Sequence, residues 1–123
     1  LILDAYRPWH VTRELWEAFP QYRGFIADPA AGSVHNRGCA VDLTLLDAAS
    51  GREAAMPSGY DEFSERAYPT YAGGDPARLA NRDLLRACME AEGFAVHPRE
   101  WWHFDHRCWR DHPVLDIDFG DLA

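Results

Sequence analysis

Cysteine is scarce in this sequence. Only Cys39, Cys88 and Cys108 occur among 123 residues, an odd number at irregular spacing. This usage excludes the disulfide framework of a small secreted domain, and without a C-x-x-C pair there is no sign of a structural zinc knuckle. We therefore expect three reduced thiols, with a single disulfide between two of them as the alternative.

Basic residues are also few, and no long apolar run is present. Twelve Lys and Arg residues stand against twenty Asp and Glu, which gives a formal net charge of −8. A protein that binds nucleic acid usually carries the opposite charge on one face, so we expect no such partner. No stretch approaches the ~18–20 apolar residues of a membrane span, and no signal peptide opens the sequence. We expect a cytoplasmic protein without a membrane span, but a start at Leu1 without Met leaves a periplasmic or secreted location open.

Local patterns predict a single α+β domain over residues 1–123. Apolar alternation and turn residues predict strands at 1–6, 39–45, 94–96, 101–105 and 114–119. Helices are predicted at 12–19, with Thr12 as N-cap, and at 76–92, after the N-cap Asp75. Four residues of the second helix should face the core: Leu84, Leu85, Cys88 and Met89. Because βαβ units do not alternate regularly, we expect a mainly antiparallel central sheet with flanking helices. The irregular segment 47–74 is long enough to be a functional loop.

Histidine and tryptophan are abundant, and two of each lie within residues 101–106. His103 of this segment, with His35 and Asp42, provides two imidazoles and one carboxylate, the ligand set of many catalytic zinc sites. Such a site leaves its fourth position to water. Gly38 would let the preceding loop turn so that His35 reaches back toward Asp42. The alternative is a solvated loop histidine and an ordinary turn carboxylate.

The phase of the strand at 39–45 supports this ligand set. Val41, Leu43 and Leu45 define its core face, so Asp42 should point to the other face. Cys39 shares the phase of the core face, and we expect it to pack there rather than to bind metal. Three protein ligands without a fourth indicate a catalytic site, since a closed four-ligand site would be structural.

Glu100 is the candidate general base. Beside the metal but not bound to it, its carboxylate could take a proton from water and pass it to a leaving amine. On a flat strand Glu100 and His103 would face opposite sides, so the hypothesis requires a bend or bulge after Pro98, or one helical turn. A surface ion pair is the alternative. His106 is expected to be an outer contact of the site or a surface residue, and the other histidines are expected to be structural: His10, His97 and His112.

Three motifs resemble those of the zinc D-alanyl-D-alanine dipeptidases of vancomycin resistance and peptidoglycan recycling. They are S-x-H-x-x-G-x-A-x-D at 33–42, E-x-W-H at 100–103 and the opening D-A-Y-R-P at 4–8. The same broad group contains D,D-carboxypeptidases, lysostaphin-like enzymes and the hedgehog signalling domain. The resemblance runs from Asp4 to about Phe119, and the doubled Trp before His103 favours the dipeptidase branch.

The resemblance implies a role for each matching residue. It makes the two histidines and the aspartate identified above the ligands of one Zn²⁺ per chain, and Glu100 the catalytic base. Arg7 matches the arginine that stabilises the negatively charged tetrahedral intermediate, a role that suits a guanidinium. The alternative for Arg7 is an ion pair with Asp4 or another carboxylate.

Two further residues match the family's substrate pocket. Ser33 matches a pocket serine, and Asp61 matches the aspartate that receives the free ammonium of the dipeptide. A carboxylate that pairs with an α-amino group rejects acylated substrates, because its charge would be left unpaired. The alternatives are a loop or cap hydroxyl for Ser33 and an exposed turn residue for Asp61. The family usually carries several dozen more residues before the D-A-Y-R-P segment, and we expect this part of the pocket to be missing here.

The leading hypothesis is a zinc dipeptidase that hydrolyses D-Ala-D-Ala to two D-alanines, with this dipeptide as its small-molecule partner. One alternative is a D,D- or L,D-carboxypeptidase on peptidoglycan peptides, with an open pocket that does not bind the substrate amine. Another is a non-catalytic zinc-binding module, against which Glu100 argues because a structural site needs no base. The sequence indicates no oligomeric state.

Overall fold

A four-stranded sheet forms the centre of the fold. The computed structural model describes residues 1–122, with strands β1 (Ile2–Asp4), β2 (Ala40–Leu43), β3 (Phe94–His97) and β4 (Glu100–His106). The strands lie in the order β1-β2-β4-β3, and each neighbouring pair is antiparallel. The predicted α+β fold with a mainly antiparallel sheet is therefore confirmed. β2 and β4 occupy the two central positions.

The longer helix, α2 (Pro76–Ala91), packs against the sheet. Its N-cap is Asp75, as predicted, and the carboxylate accepts a hydrogen bond from a backbone N–H two residues on at 2.9 Å. Leu85 is buried in the core, but Leu84 and Cys88 are exposed, so their predicted inward orientation is wrong. Leu84 and Cys88 each directly precede a residue that packs in or against the core, Leu85 and Met89. One position along an α-helix turns the side chain by about 100° around the axis, away from the core.

The shorter helix, α1 (Trp9–Ala18), begins three residues earlier than predicted. Pro8 precedes it, and a proline suits a helix start because its φ is fixed and its missing N–H is not needed there. Thr12 is not the N-cap but lies fully buried inside the helix, where its hydroxyl accepts a hydrogen bond from Asn36 Nδ2 at 2.9 Å. Asn36 also donates to the Arg7 carbonyl at 2.8 Å, so it fastens its loop to the N-terminal segment.

Residues 114–119 form no strand, so the prediction of a strand there is wrong. The segment instead runs beside the N-terminal part of the chain and the loop that contains Asn36. The Leu115 N–H donates to the Asn36 carbonyl at 2.8 Å, and the Trp9 N–H donates to the Leu115 carbonyl at 3.1 Å. The Tyr6 hydroxyl donates to the Ile117 carbonyl at 3.0 Å. These single bonds anchor the segment without the repeated pairing of a sheet.

The two rows of side chains on β2 confirm its predicted phase. The row that packs against the hydrophobic core is the expected one: Val41, Leu43 and Leu45. The core itself consists of six buried residues: Met56, Ala67, Leu85, Trp101, Trp102 and Phe104. The opposite row of β2 is at most 5% exposed: Ala40, Asp42 and Thr44. Asp42 therefore points into a buried polar layer rather than to an open surface.

The segment 47–74 is irregular, as predicted. Its only regular pieces among the described residues are a 3₁₀ turn at Glu65–Ala67 and one bridge between Leu46 and Glu53. None of the helices in residues 1–122 has the length and apolar character that crossing a membrane requires.

Candidate metal centre and active site

The three predicted ligands converge on one face of the sheet. Asp42 on β2 is paired with His103 on β4, so the two side chains stand side by side. His35 comes from the 3₁₀ helix His35–Arg37, which ends at Gly38 with φ 64°, a left-handed conformation that glycine adopts without strain. His35 Nε2 lies 3.1 Å from His103 Nδ1 and 3.4 Å from Asp42 Oδ1. His103 Nδ1 lies 3.0 Å from the same oxygen.

Outer hydrogen bonds orient both imidazoles. His35 Nδ1 lies 2.7 Å from the Ala5 carbonyl oxygen, and because a carbonyl only accepts, Nδ1 carries the hydrogen. His103 Nε2 likewise donates to Asp105 Oδ1 at 2.8 Å. In the neutral rings this leaves unprotonated nitrogens, His35 Nε2 and His103 Nδ1, facing each other. Histidines that bind a metal through one ring nitrogen typically donate the N–H of the other to a carbonyl or carboxylate, as both rings do here.

The converging atoms fit a divalent cation. Asp42 Oδ1 is buried and has no hydrogen-bond partner within residues 1–122. Donor atoms of a tetrahedral zinc site with bonds of about 2.0–2.1 Å lie about 3.3 Å apart. The distances among the three atoms here are 3.0–3.4 Å. When both rings are neutral, these three buried acceptors have no donor between them, and a cation would satisfy all three.

Without a cation, a proton takes its place. Burial lowers the pKa of His103, but the carboxylates of Asp105 and Asp42 outweigh that effect and raise it to about 10. The metal-free chain therefore holds an imidazolium beside Asp42, and a divalent ion must displace that proton to bind.

Glu100 lies on the same side of β4 as His103, as the base hypothesis requires. The strand pairing passes from Val96↔Phe104 to His97↔Glu100, so one residue step on β3 corresponds to four on β4. This bulge directly follows the turn at residues 98–99 and is the predicted bend. Glu100 Oε2 lies 3.8 Å from His103 Nδ1, farther than the ligand atoms lie from one another. The carboxylate is thus beside the metal position without belonging to the ligand set.

The surroundings of Glu100 adjust its proton affinity. Burial raises the pKa of Glu100 to about 7, His103 opposes the rise, and the negative charges of Asp42 and Asp61 add to it. A carboxyl group with a pKa near neutrality is suited both to take a proton and to return it.

The other predicted site residues line the same cavity of about 590 Å³: Arg7, Ser33 and Asp61. The Arg7 guanidinium forms an ion pair with Asp4, as its alternative role predicted, and this pairing also holds it at the cavity wall. The Ser33 hydroxyl accepts a hydrogen bond from the His35 N–H at 3.2 Å, so it supports the ligand loop. Asp61 is exposed and has φ 56°, an unusual left-handed conformation for a residue other than glycine.

Sequence reasoning missed three side chains of the site. Asp105 orients His103, and the Tyr60 hydroxyl donates to Asp42 Oδ2 at 3.2 Å. His97, predicted to be structural, lines the cavity with Nδ1 3.8 Å from Glu100 Oε2. Burial and then the charge of His103 lower the pKa of His97 to about 4, which keeps this ring neutral. Strand alternation gave a signal for two of them: Asp105 lies two positions from His103 on one strand, and His97 follows Val96, a residue of the core-facing row of β3.

His106 and His10, for which the sequence predicted no role as metal ligands, do not line this cavity. His106 Nδ1 lies 2.9 Å from Cys108 Sγ and not beside the three ligands. His10 Nδ1 lies 2.7 Å from Asp116 Oδ1, a structural contact of the kind expected. The histidines that line the cavity are therefore His35, His103 and the neutral His97.

Replacement of the carboxylate behind His103 should weaken metal binding without removing a ligand. In Asp105→Asn the amide can donate to His103 Nε2, which would move the ring hydrogen to Nδ1 and block the ligand atom. We expect zinc affinity to fall by about 10–100-fold. Competition with a metal indicator measures this, with Asp118→Asn, an exposed acid outside the cavity, as control. An unchanged zinc affinity in Asp105→Asn would contradict the orienting role.

A buried cluster of two histidines and one aspartate beside a carboxylate in an open cavity defines a candidate metal-dependent hydrolase centre. Residues 1–114 match the peptidase M15 family, described as D-Ala-D-Ala dipeptidase. A D-alanyl-D-alanine dipeptidase of Escherichia coli K12 is 40% identical over 120 residues, which are 98% of this chain and 61% of that protein. Proteins with the same description are 39% identical over 97 residues in Streptomyces coelicolor and 37% identical over 82 residues in Enterococcus faecalis.

The chain belongs to this D-Ala-D-Ala dipeptidase family of M15 peptidases. The aligned residues make up 79% of this chain in the comparison with the Streptomyces protein and 67% in the comparison with the Enterococcus protein. The matches span 46% and 39% of those two proteins, so the chain corresponds to about two fifths to three fifths of the relatives' lengths.

Proposed function

We propose that this chain is a zinc-dependent dipeptidase that hydrolyses D-Ala-D-Ala to two D-alanines. The observation that carries the proposal is the position of Glu100, 3.8 Å from a ligand nitrogen but outside the ligand set. A site that only held metal would have no need for a buried carboxylate of raised pKa at that place. Membership of the D-Ala-D-Ala dipeptidase family supports the choice of substrate.

The proposed mechanism assigns one step to each side chain. His35, Asp42 and His103 would hold Zn²⁺, which when bound polarises a carbonyl and lowers the pKa of water. Glu100 takes the proton of the attacking water and passes it to the departing amine, so that its own protonation state is restored.

The remaining side chains hold the substrate and the ligands in place. The Arg7 guanidinium stabilises the negative oxygen that develops at the scissile carbonyl. Asp61, at the opening of the cavity, binds the free ammonium of the dipeptide. Tyr60 holds Asp42 through its remaining oxygen and keeps the carboxylate oriented.

The first test measures D-alanine release from D-Ala-D-Ala by the zinc-loaded chain, with L-Ala-L-Ala and a chelated sample as controls. We expect turnover of the D,D-dipeptide alone and its loss on chelation. Cleavage that survives chelation would contradict the metal mechanism. If the chain holds zinc but cleaves nothing, two interpretations stand. Either it is a zinc-binding module, or activity requires the additional residues that the relatives carry.

Asp61→Asn tests how the substrate is recognised. We expect kcat/KM for D-Ala-D-Ala to fall by about 10²-fold, because the ammonium would lose a charged partner. Activity on N-acetyl-D-Ala-D-Ala should not fall in parallel. Glu65→Gln, an exposed acid in the same irregular segment, is the matched control. Equal losses for both substrates would remove Asp61 from the role of amine receptor.

A carboxypeptidase is the second candidate, favoured by the size of the cavity. About 590 Å³ is within the range that holds drug-sized ligands, so peptides longer than dialanine fit by volume. Preference for the acylated substrate over the free dipeptide in the same assay would support this alternative.

A further inference from the structure

Two cysteines and a histidine meet outside the cavity. The Sγ atoms of Cys39 and Cys108 and a ring nitrogen of His112 all lie within 4.8 Å of one another. None of the three lines the cavity. Cys39 precedes β2 by one residue and has the phase of Val41, so it lies on the sheet face opposite to Asp42. It is not part of the hydrophobic core cluster, and its position beside Cys108 replaces the earlier expectation that it only packs there. The cluster is therefore spatially separate from the candidate zinc centre.

Backbone pairing of the central strands brings these residues together. Ala40 is paired with Asp105, and the His106 N–H donates to the Cys39 carbonyl at 2.7 Å. Cys108 follows two residues later, beyond the end of β4. The start of β2 and the end of β4 thus place both sulfurs on one side of the sheet.

The third group is held by a long-range contact. His112 follows the 3₁₀ helix Trp109–Asp111, and its carbonyl accepts a hydrogen bond from Arg37 Nη1. The Arg37 guanidinium also lies over the Trp109 ring, 5.5 Å from its centroid. Arg37 is two residues from Cys39, so these contacts fix His112 next to the sulfurs. Two sulfurs and an imidazole are a typical donor set for a zinc ion.

We propose that Cys39, Cys108 and His112 form a second metal site, which takes a thiophilic divalent ion such as Zn²⁺, Co²⁺ or Cd²⁺. Binding releases one proton from each thiol to solvent, and no atom changes its oxidation state. His112 is exposed while both cysteines are partly buried, so an ion has access from the side of the histidine. The fourth position is left to water.

The chemistry of the sulfurs agrees with a metal ligand better than with a nucleophile. The Cys39 thiol donates to the Arg37 carbonyl at 3.3 Å. Burial, and then the neighbouring Cys108 sulfur, raise the pKa of Cys39, so the thiol stays protonated in the metal-free chain. A reactive cysteine needs the opposite shift, whereas a coordinating thiol is deprotonated by the ion itself.

The site would connect the two strands that carry the candidate catalytic ligands. A metal bridge joins the first residues of β2 to the segment after β4, a few residues from Asp42 and His103. Soft thiolates also distinguish this site from the His–His–Asp centre, because they prefer softer ions. The two centres should therefore differ in both spectrum and metal preference.

Cobalt titration of the reduced chain tests the proposal. We expect two Co²⁺ per chain and a near-ultraviolet thiolate-to-cobalt absorption band. Cys108→Ser should lose the band and one bound ion, and His112→Ala should weaken the second ion more than about tenfold. Cys88→Ser is the matched control, since this exposed cysteine on α2 lies outside the cluster and should leave both readouts unchanged.

Three results would overturn the second site. One is a single bound Co²⁺ without a thiolate band in the reduced wild-type chain. Another is a band that Cys108→Ser and His112→Ala both retain. The third is a Cys39–Cys108 disulfide in the chain isolated without reductant, together with a reduced form that binds only one ion. Because His112 lies outside the sheet, its variant keeps the test valid even if the serine variant folds poorly.

Discussion

Glu100→Gln should lower kcat for D-Ala-D-Ala by about 10²–10⁴-fold while the chain keeps its zinc. Glutamine has nearly the shape of glutamate but cannot take a proton from water. Glu100 Oε2 lies 3.8 Å from His103 Nδ1 and outside the ligand set, so the metal site should survive the change. The measurement is steady-state D-alanine release, together with zinc content after dialysis.

Two comparisons make the Glu100 prediction decisive. Glu14→Gln changes an exposed acid on α1 and should leave kcat unchanged. Zinc content should be equal in wild type, Glu14→Gln and Glu100→Gln. Full turnover by Glu100→Gln would rule out the proposed base. Loss of zinc along with activity would mean that Glu100 acts as a ligand instead.

His35→Ala should lose the zinc ion at the His–His–Asp centre, and with it the activity and the stabilisation that the ion provides. An ion present at about a thousand times its dissociation constant stabilises the folded state by about 4 kcal/mol. For a domain of this size that is a shift in Tm on the order of 10–15 °C. The wild-type chain should show this shift on chelation, whereas the variant should melt at the same temperature with and without chelator.

The stability measurement is best made in a Cys108→Ser background, so that the proposed second site at Cys39, Cys108 and His112 contributes nothing to the change in Tm. His10→Ala is the matched control, because His10 contacts Asp116 rather than the metal position. This control should keep both the zinc ion and the chelator-dependent Tm. A Tm of His35→Ala that still falls by the full amount on chelation would contradict the assignment of His35 as a ligand.

The parts of the molecule predicted well from sequence are those controlled by a local period or cap. The alternation of Val41, Leu43 and Leu45 gave the correct phase of β2, and with it the direction of Asp42. Asp75 and the proline after it identified the start of α2. The requirement that Glu100 and His103 share a face predicted a bend, and the bulge on β4 provides it.

The errors arise where distant contacts decide the structure. Thr12 has a side chain suited to an N-cap, but its hydroxyl is taken by Asn36, which lies 24 residues away in sequence. Residues 114–119 alternate like a strand, but they form single hydrogen bonds with the N-terminal segment and with the loop at Asn36 instead of pairing with another strand. Tyr60 reaches Asp42 from the irregular segment, and no local pattern could indicate that contact. His97 faces the cavity because it alternates with Val96, which packs against the core, but nothing local to β3 indicates that this face of the sheet carries the site.

Because of the bulge on β4, the spacing of the metal ligands and the placement of the base depend on different parts of the fold. The spacing of His35, Asp42 and His103 depends on the relative positions of a loop and two strands, so slight sliding of these elements changes it. The spacing of Glu100 and His103 is contained within four consecutive residues of one strand. Thermal or mutational loosening of the fold should therefore appear first as weaker zinc retention. Molecules that still hold zinc should keep a correctly placed base, so that the specific activity per bound zinc declines later than the zinc occupancy.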